Sequence, residues 1–302
     1  MKKTIIIVIV IVLAGFGIYL FARDSSNDGG VDKGAVVTPD TTEATSTRQV
    51  AVQETVSAIG TSIEGRDITA YNYGVGDTEL LFIGGIHGGY EWNTVLVAYE
   101  LMDYLKANPN VIPANVKVTV VPVLNPDGLN KTIGTSTRFS QTDIPAAQDK
   151  QVAGRFNANS VDLNRNFDCD WKQTGTWQNK AVSGGSKPFS EPESQSVKTY
   201  IEAHKPAAVI AWFSAAGGVY ASSCGNSGVS ADTRTITNTF ASASGYPAYE
   251  SFDFYETTGD MLNWLAKNNI PAISVLLTNH TDTEWAKNQK GVEAMLKYYE
   301  KK

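Results

Sequence analysis

The chain has 302 residues, of which 42% are hydrophobic, 10% aromatic and 19% charged, a composition that fits a folded globular protein and excludes collagen-like and wholly disordered chains. The 31 acidic residues outnumber the 25 basic ones, and Lys2, Lys3 and Arg23 flank the first apolar segment, so the remaining chain is strongly acidic. This charge argues against a nucleic-acid partner, and the presence of only two cysteines excludes both a disulfide-dense scaffold and a four-cysteine zinc module.

Residues 4–22 form an uninterrupted run of 19 residues without a charged side chain. At about 1.5 Å per residue, a helix of this length crosses the roughly 30 Å hydrocarbon core of a bilayer. We therefore expect residues 1–23 to be an N-terminal membrane anchor. A cleaved signal peptide, whose apolar run is usually about 7–15 residues, and a buried core helix are the alternatives. Lys2 and Lys3 predict that the body lies outside the cytoplasm, or is secreted if the segment is cleaved.

Residues 24–50 are rich in Ser, Thr, Asp and Gly and show no apolar periodicity, which predicts a flexible linker. Residues 51–302 have the size of one large domain. The predicted strands cover residues 68–73, 79–84, 116–123, 207–213 and 272–277. The predicted helices cover residues 92–107, 191–204, 232–243, 259–268 and 283–299. This alternation indicates an α/β domain with a mainly parallel or mixed sheet, covered on both sides, and a site at the strand ends.

His87 and Glu91 follow the end of a predicted strand, in the segment LLFIGGIHGGYEWN. A strand end is a rigid place for metal ligands. An imidazole with a carboxylate suits zinc, whose hydrolytic sites hold three protein ligands and one water. The alternative is a histidine and a glutamate in an ordinary glycine-rich turn, because such short motifs are loose.

Four charged or amide side chains lie close together in the segment GRFNANSVDLNRNFDCDW, residues 154–171. They are Arg155, Asp162, Asn164 and Arg165. An arginine guanidinium is the group best suited to grip a carboxylate through two hydrogen bonds, so this cluster predicts recognition of a free chain end. The alternative is a solvated loop with structural salt bridges.

These two segments, in this order, resemble the zinc carboxypeptidase family typified by carboxypeptidase A. Five further segments agree and fall in the family's order: NPDG at 125–128, PFSEPE at 188–193, WFSAAGGVY at 212–220, YETTGDMLNW at 255–264 and IPAISVLLTN at 270–279. DLNRNF together with PFSEPE is specific for the family. The resemblance implies a single α/β domain with a central mixed eight-stranded sheet flanked by helices. It also implies a zinc-activated water that attacks the C-terminal peptide bond.

The resemblance assigns the metal chemistry to four residues. His87 and Glu91 match the first two zinc ligands, and Asp162 matches the residue that orients His87 through its other ring nitrogen. Arg155 matches the arginine that stabilises the oxyanion. Zinc is therefore the cofactor that the family implies.

The resemblance also assigns the substrate contacts. Asn164 and Arg165 would bind the terminal carboxylate of a peptide, and Tyr255 would close over the bound terminal residue. Leu262 falls near the family's specificity-pocket position, which implies an apolar terminal side chain. The expected partners are the C-termini of peptides or of peptidoglycan stems.

Three departures from the family's pattern bear on activity. The glutamate Glu91 follows His87 by four residues instead of three, and the two intervening glycines can absorb the extra residue. Phe213 stands at the position of the third zinc ligand, a histidine in the family, and cannot donate a lone pair. Leu276 stands at the position of the glutamate that serves as general base, a group that is typically worth about 10²–10⁴ in rate.

Substitutes for the missing groups are few, since the chain has only three histidines. His204 lies at a predicted helix end, where a histidine acts as a cap, whereas His280 follows a strand end and could approach the site. A shifted alignment would let Glu256 or Asp260 serve as the base. The spacing that follows Tyr255 matches the family and argues against such a shift.

The substitutions remove a zinc ligand and the base while the expected carboxylate grip is kept. The sequence therefore favours a membrane-anchored, extracytoplasmic carboxypeptidase-like protein that binds C-terminal carboxylates of peptides or cell-wall stems with impaired or no hydrolysis. The alternatives are an active zinc metallocarboxypeptidase with a rearranged metal site, and a structural anchor whose domain binds another protein.

The two cysteines lie in segments that the family fold brings together near the site. Cys169 follows the DLNRNF motif, and Cys224 follows the strand that ends at Phe213. In an oxidising compartment we expect the pair to form one disulfide. Buried free thiols are the alternative.

Overall fold

The computed structural model describes residues 54–302. The predicted membrane anchor at residues 1–23 and the predicted linker at residues 24–50 lie outside the described residues. Between residues 54 and 302, no helix combines the length and the apolar character needed to cross a bilayer.

Residues 54–302 form ten strands and seven α-helices, joined by loops and short 3₁₀ segments. The strands are β1 (Thr55–Thr61), β2 (Asp67–Tyr73), β3 (Thr78–Ile83), β4 (Val116–Val121), β5 (Thr174–Trp177), β6 (Lys180–Ser183), β7 (Ala208–Ser214), β8 (Gly218–Ala221), β9 (Ala248–Tyr249) and β10 (Ala272–Leu277). The helices are α1 (Trp92–Ala107), α2 (Pro126–Ile133), α3 (Gln148–Ala153), α4 (Pro192–His204), α5 (Ala231–Ser244), α6 (Met261–Lys267) and α7 (Trp285–Glu300).

Eight of these strands form one mixed sheet in the order β1-β2-β4-β3-β7-β10-β8-β9. The four central strands β4, β3, β7 and β10 run parallel, whereas β1, β2 and β8 each pair antiparallel with a neighbour. β5 and β6 form a separate antiparallel hairpin. The predicted α/β fold with a mixed eight-stranded sheet flanked by helices is therefore confirmed.

The central strands are mostly apolar because helices cover both faces of the sheet. In β3, Leu80 and Phe82 belong to the core layer of α1, α5 and α7, while Leu81 and Ile83 belong to the layer of α4 and α6. The alternation follows from the two-residue period of a strand. Doubly covered parallel strands need such near-continuous apolar runs.

All five predicted strands and all five predicted helices are present, with their ends shifted by at most two residues. The sequence did not reveal β1, β5, β6, β8, β9, α2 or α3. These elements are short or lie at the edge of a sheet, so they bury too few apolar side chains to give a clear period.

The parallel central strands bring three chain segments to one edge of the sheet, where their carboxyl ends meet. β3 ends just before the loop that carries His87. β7 and β10 end side by side, and Phe213 pairs with Leu276 in the register of the two strands. This edge is where the candidate site lies.

A buried carboxylate joins the sheet to α4. Glu79 of β3 is 4% exposed, and it accepts hydrogen bonds of 2.6 Å from the hydroxyls of Thr119 and Tyr200 and lies 2.8 Å from the ammonium of Lys117. Burial would raise the pKa of Glu79, but Lys117 and the two hydroxyls outweigh it and lower the pKa below its usual value. The charged form therefore stabilises the fold.

Replacing Glu79 by glutamine should lower the free energy of unfolding by about 1–3 kcal/mol at pH 7, because hydrogen bonds to a charged group are lost. A group with a lowered folded-state pKa stabilises above its unfolded pKa of about 4.3, and this contribution is lost as the pH falls through the folded-state pKa. The difference between wild type and Glu79→Gln should therefore shrink below about pH 4. Urea unfolding from pH 3 to 8 measures it.

The matched control is Glu202→Gln on α4, which removes an exposed carboxylate 3.8 Å from Lys198. Exposed pairs of this kind contribute little, so this variant should unfold like the wild type. A Glu79→Gln variant that is as stable as this control at pH 7 would contradict the role given to Glu79.

Candidate functional site

The segment between His87 and Glu91 forms a short 3₁₀ turn at the end of β3. Gly88 sits in this turn with φ of +44°, and a Cβ at its position would lie 2.6 Å from the carbonyl oxygen of Gly154. Only glycine permits both the backbone angle and this close approach. The turn therefore packs directly against the segment that leads to Arg155.

His87 lies between two carboxylates in a buried position. Its Nδ1 is 2.9 Å from Oε1 of Glu91, and its Nε2 is 3.3 Å from Oδ1 of Asp162. Neither ring nitrogen has a partner with hydrogen-bond geometry, and the two N–O contacts are ion pairs when the ring is protonated. Burial and Arg155 lower the pKa of His87, but the two carboxylates outweigh them and raise it overall.

Arg155 supplies the fixed positive charge of this cluster. Its Nε and Nη2 each lie 2.9 Å from Oδ2 of Asp162, and its Nη1 lies 3.8 Å from Oε1 of Glu91. Burial would raise the pKa of Asp162, but Arg155 and His87 hold it well below its usual range. The four side chains, each no more than 3% exposed, thus form one buried charge network.

Phe213 and Leu276 lie side by side next to this network, at the carboxyl ends of β7 and β10. The Phe213 ring centroid is 5.8 Å from that of His87, and both apolar side chains line the same pocket as His87 and Glu91. Neither side chain carries a donor for a metal. The pocket beside His87 is therefore closed on one side by hydrocarbon.

Within residues 54–302, the only three His, Cys, Asp or Glu side chains whose donor atoms gather within 4.8 Å of one another are Cys169, Asp170 and Cys224. The two sulfurs of this group form a disulfide, with Cα atoms 5.8 Å apart. The disulfide joins the loop after β8 to the segment after DLNRNF. Asp170 and Gly225, next to the two cysteines, line the pocket.

The other two histidines lie in different surroundings. His280 packs against Tyr90, with ring centroids 4.8 Å apart; its buried Nδ1 has no hydrogen-bond partner, and burial lowers its pKa. His204 ends α4 and stacks on Tyr200 at 4.1 Å. His204 lies at the amino-terminal edge of the parallel strands, so only His280 comes near the site.

Asn164 and Arg165 are both held by other groups of the protein. Arg165 is 3% exposed, and its Nη1 and Nη2 donate hydrogen bonds of 3.0 Å to the carbonyl oxygens of Glu256 and Thr176. Asn164 donates from Nδ2 to Oδ2 of Asp260 at 2.7 Å. Asn164 lines the pocket, and Arg165 lies behind its wall, covered by β5.

The β5–β6 hairpin covers both arginines. Thr176 accepts the hydrogen bond from Arg165, and the ring of Trp177 lies 4.5 Å from the Cζ of Arg155. Gln178, at the turn of the hairpin, donates to the hydroxyl of Tyr90 at 3.1 Å. The hairpin therefore forms one wall around the charge network.

The pocket itself has a volume of about 240 Å³ and lies at the carboxyl ends of β7 and β10. Of the residues predicted to contact substrate, Asn164 and Tyr255 line it. Tyr255 is 43% exposed, with its ring 5.5 Å from the Cζ of Arg165. The pocket is open enough at this rim to admit a ligand.

Leu262 does not line the pocket, contrary to its predicted place in the specificity site. It is 1% exposed and packs in the core layer of α4 and α6. The reason is that α6 begins at Met261, and Asp260, its N-cap residue, points toward the pocket in place of Leu262. Sequence reasoning considered Asp260 only as a substitute base and missed Tyr220, which also lines the pocket.

The two groups proposed as substitute bases are engaged elsewhere. Asp260 accepts from the backbone N–H of Asn263 at 2.9 Å as well as from Asn164. The Glu256 carboxylate lies on the surface, 2.6 Å from the ammonium of Lys172. Neither carboxylate contacts His87 or Glu91.

The sequence model described as zinc carboxypeptidase matches residues 47–294. The chain belongs to the zinc carboxypeptidase family. This confirms the resemblance that the motifs around His87 and Arg165 indicated. Zinc is the metal that the family implies.

Individual relatives match only part of the chain. Carboxypeptidase B from Astacus astacus is 29% identical over 154 residues, which are 48% of this chain and 48% of the relative. A protein described as an inactive metallocarboxypeptidase from Ajellomyces capsulatus is 30% identical over 160 residues, 48% of this chain and 26% of its own length. The chain thus spans about half or less of the curated relatives that it matches. The family includes inactive members.

Solved structures share the fold over most of the chain. Bovine thrombin-activatable fibrinolysis inhibitor, solved with a tick carboxypeptidase inhibitor, gives a TM-score of 0.64 at 17% identity, covering 83% of this chain and 89% of that one. The murein-tripeptide amidase from Escherichia coli gives 0.55 at 22% identity, covering 82% and 93%. At these identities the likeness shows the fold alone.

Removing the disulfide with Cys169→Ser and Cys224→Ser should lower the free energy of unfolding by roughly 2–4 kcal/mol, because the bond restricts the unfolded chain. Urea unfolding of the two forms measures the loss. The single variant Asn226→Ala, at an exposed position of the same loop, is the control and should leave stability within about 0.5 kcal/mol of wild type. Free thiols detected in the untreated protein by alkylation and mass measurement would contradict the bond.

Proposed function

We propose that this protein is a membrane-anchored, extracytoplasmic member of the zinc carboxypeptidase family that binds the C-terminal ends of peptides or of cell-wall peptide stems with little or no hydrolysis. The anchor and its orientation rest on the apolar run at residues 4–22. The observation that carries the loss of hydrolysis is the pairing of Phe213 and Leu276 beside His87.

The described donors do not fit a catalytic zinc. A hydrolytic site holds the metal through three protein ligands and keeps one position for water. Here His87 and Glu91 are the two available donors, and their Nδ1 and Oε1 atoms are 2.9 Å apart. Two donors on one tetrahedral zinc stand about 3.3 Å apart, since each lies about 2.0–2.1 Å from the metal. The observed distance suits a direct ion pair.

The charge network is also balanced without a metal. Arg155 already neutralises Asp162 and approaches Glu91, so the buried carboxylates have a cation without a metal. A buried ion cluster needs such compensation to avoid a large desolvation cost. A base for water activation is also lacking among the residues that touch the network, because Leu276 occupies its position.

Binding of a chain end is supported by the guanidinium of Arg165 and the amide of Asn164. A guanidinium has five N–H donors, and carbonyl oxygens take one each from Nη1 and Nη2 of Arg165. The remaining donors would serve a carboxylate once the cover that β5 forms over Arg165 is displaced. Tyr255, over the same guanidinium, would contact the terminal residue.

A second candidate function is hydrolysis with a rearranged metal site. One observation favours it: His280 packs on Tyr90, the residue before Glu91, and its Nδ1 has no hydrogen-bond partner. A movement of this side chain toward His87 would provide a third nitrogen donor. Metal content separates the two functions.

The full chain, purified in detergent and dialysed against trace zinc, should hold far less than one zinc per chain and leave a blocked dipeptide uncut, because a third ligand and a base are missing. The double variant Phe213→His with Leu276→Glu should bind zinc, and it should cut the dipeptide only once zinc is bound. Atomic absorption and product analysis measure the two properties. The matched control, Phe213→Leu with Leu276→Met, keeps the pocket apolar and should gain neither.

Near-stoichiometric zinc with turnover in the unmodified chain would contradict this proposal and favour the rearranged site. In that case His280→Ala should abolish both zinc binding and hydrolysis. A double variant that gains neither zinc nor activity would show that Phe213 and Leu276 do not occupy the ligand and base positions.

Chain-end binding has its own test, which leaves the protein unchanged. A peptide with a free C-terminal carboxylate should bind the wild-type protein at least about 10-fold more tightly than the same peptide with a C-terminal amide, because a charge-assisted bidentate pair is lost. Isothermal titration calorimetry measures both affinities. Equal affinities would contradict the grip assigned to Asn164 and Arg165.

A further inference from the structure

We propose that Cys169, Cys224 and Asp170 form a separate metal site, which binds zinc when the disulfide is reduced and releases it when the disulfide forms again. The three donors come from two segments of the chain, the one after DLNRNF and the loop after β8. The site uses none of the donors around His87. It is therefore independent of the family's metal position and of the proposed binding of chain ends.

The donor atoms of the site are already close together. Both sulfurs and a carboxylate oxygen lie within 4.8 Å of one another, and Oδ2 of Asp170 is 3.6 Å from Sγ of Cys169. A sulfur and an oxygen on one tetrahedral zinc stand about 3.6 Å apart, because the metal lies about 2.3 Å from the sulfur and about 2.1 Å from the oxygen. The observed separation suits a shared metal, unlike the 2.9 Å between His87 and Glu91.

The two sulfurs have to move apart before a metal can enter. On one tetrahedral zinc they would stand about 3.8 Å apart. The Cα atoms of Cys169 and Cys224 are 5.8 Å apart. This separation accommodates either the bond or the metal, since each sulfur can turn about its own Cα–Cβ bond. Reduction is the covalent change that the site needs.

The reductant is a dithiol, which supplies two electrons and two protons. One of its thiolates attacks the disulfide to give a mixed disulfide, and its second thiol then closes the reductant to its own disulfide. The bond between Cys169 and Cys224 breaks and two cysteine thiols form. Binding of zinc releases the two thiol protons, because the thiolate is the ligand. An incoming disulfide reverses these steps, and the metal leaves.

The carboxylate of Asp170 has free capacity for a metal. Its Oδ2 accepts a hydrogen bond of 3.1 Å from the backbone N–H of Gly225, which holds it beside the loop that carries Cys224. A carboxylate has about four acceptor sites, and no cationic side chain lies within 4.0 Å of Asp170 in residues 54–302. Two thiolates with one carboxylate suit zinc better than calcium or magnesium, which prefer oxygen ligands only.

The site is accessible to a reductant and to a metal. Asp170 is exposed, Cys224 is half-buried, and residues 225–228, which follow Cys224, are exposed. Cys169 is only 2% exposed, so the sulfur of Cys224 is the one that an incoming thiolate can reach. Accessible disulfides are the ones that exchange readily.

The test uses the full chain in detergent, either untreated or reduced with a dithiol that is removed under argon, and zinc alone is the probe. The reduced chain should bind one more zinc than the untreated chain, at least about 100-fold more tightly than any zinc that the untreated chain holds. Competition with a chromogenic chelator measures the affinity. Cobalt in place of zinc should give the charge-transfer absorption of a metal–thiolate bond, and this absorption should vanish on reoxidation.

Two variants identify the donors. Asp170→Asn should weaken zinc binding by the reduced chain at least about 10-fold, because an anionic ligand is lost. The matched control is Asp168→Asn, which removes a half-exposed carboxylate 2.9 Å from Lys267 and should keep the wild-type affinity. The double variant Cys169→Ser with Cys224→Ser should gain no zinc under reducing conditions.

Urea unfolding covers a loss of structure on reduction. Zinc should raise the unfolding midpoint of the reduced chain, because a ligand that binds the folded state stabilises it. The double serine variant should unfold at the same urea concentration with and without zinc.

Three results would overturn the site. They are equal zinc content in the untreated and reduced chains, extra zinc that the double serine variant also binds, and full affinity in Asp170→Asn. A reduced chain whose unfolding midpoint does not respond to zinc would overturn it as well. Chain-end binding is measured on the untreated protein, so it stands or falls separately.

Discussion

The ion contacts between Arg155 and Asp162 hold the site together. Both side chains are almost fully buried, and their Nε–Oδ2 and Nη2–Oδ2 distances of 2.9 Å place two charges where water is excluded. Such a pair is costly to bury and very costly to break, because either partner alone would be an uncompensated charge. The orientation of His87 and the position of Glu91 follow from it, since His87 contacts Asp162 and Glu91 approaches Arg155.

This network balances the charges of the site with groups of the protein itself. In the family's pattern, a metal compensates the histidine and glutamate. In this chain, Arg155 stands 3.8 Å from Glu91 and neutralises Asp162, so the buried acids are compensated from within the protein. The apolar residues Phe213 and Leu276 then occupy positions that need no polar partner, and the sheet edge stays well packed.

Much of the fold was predictable because the central strands and the long helices bury many apolar residues. The spacing of these residues along the sequence then shows which segments are strands and which are helices. The positions of His87, Glu91 and Asp162 in one cluster followed from the parallel order of the strands and the family motifs. Asp260 was not assigned to the pocket, because a shift of one or two residues in the start of α6 decides whether Asp260 or Leu262 faces it. That β5 covers Arg165 was not predictable either. Arg165 donates to backbone carbonyl oxygens, which any residue provides, so no side-chain pattern marks the contact.

The hairpin of β5 and β6 is a less rigid wall of the site than a larger sheet would be. A two-stranded ribbon is only marginally stable by itself, and this one lies on the two guanidiniums through the carbonyl oxygen of Thr176 and the indole of Trp177. An anion can reach either arginine only by competing with these contacts. For an acid that binds there, affinity and displacement of the ribbon would be one equilibrium, because the same positive charges would bind either the protein's own cover or the acid.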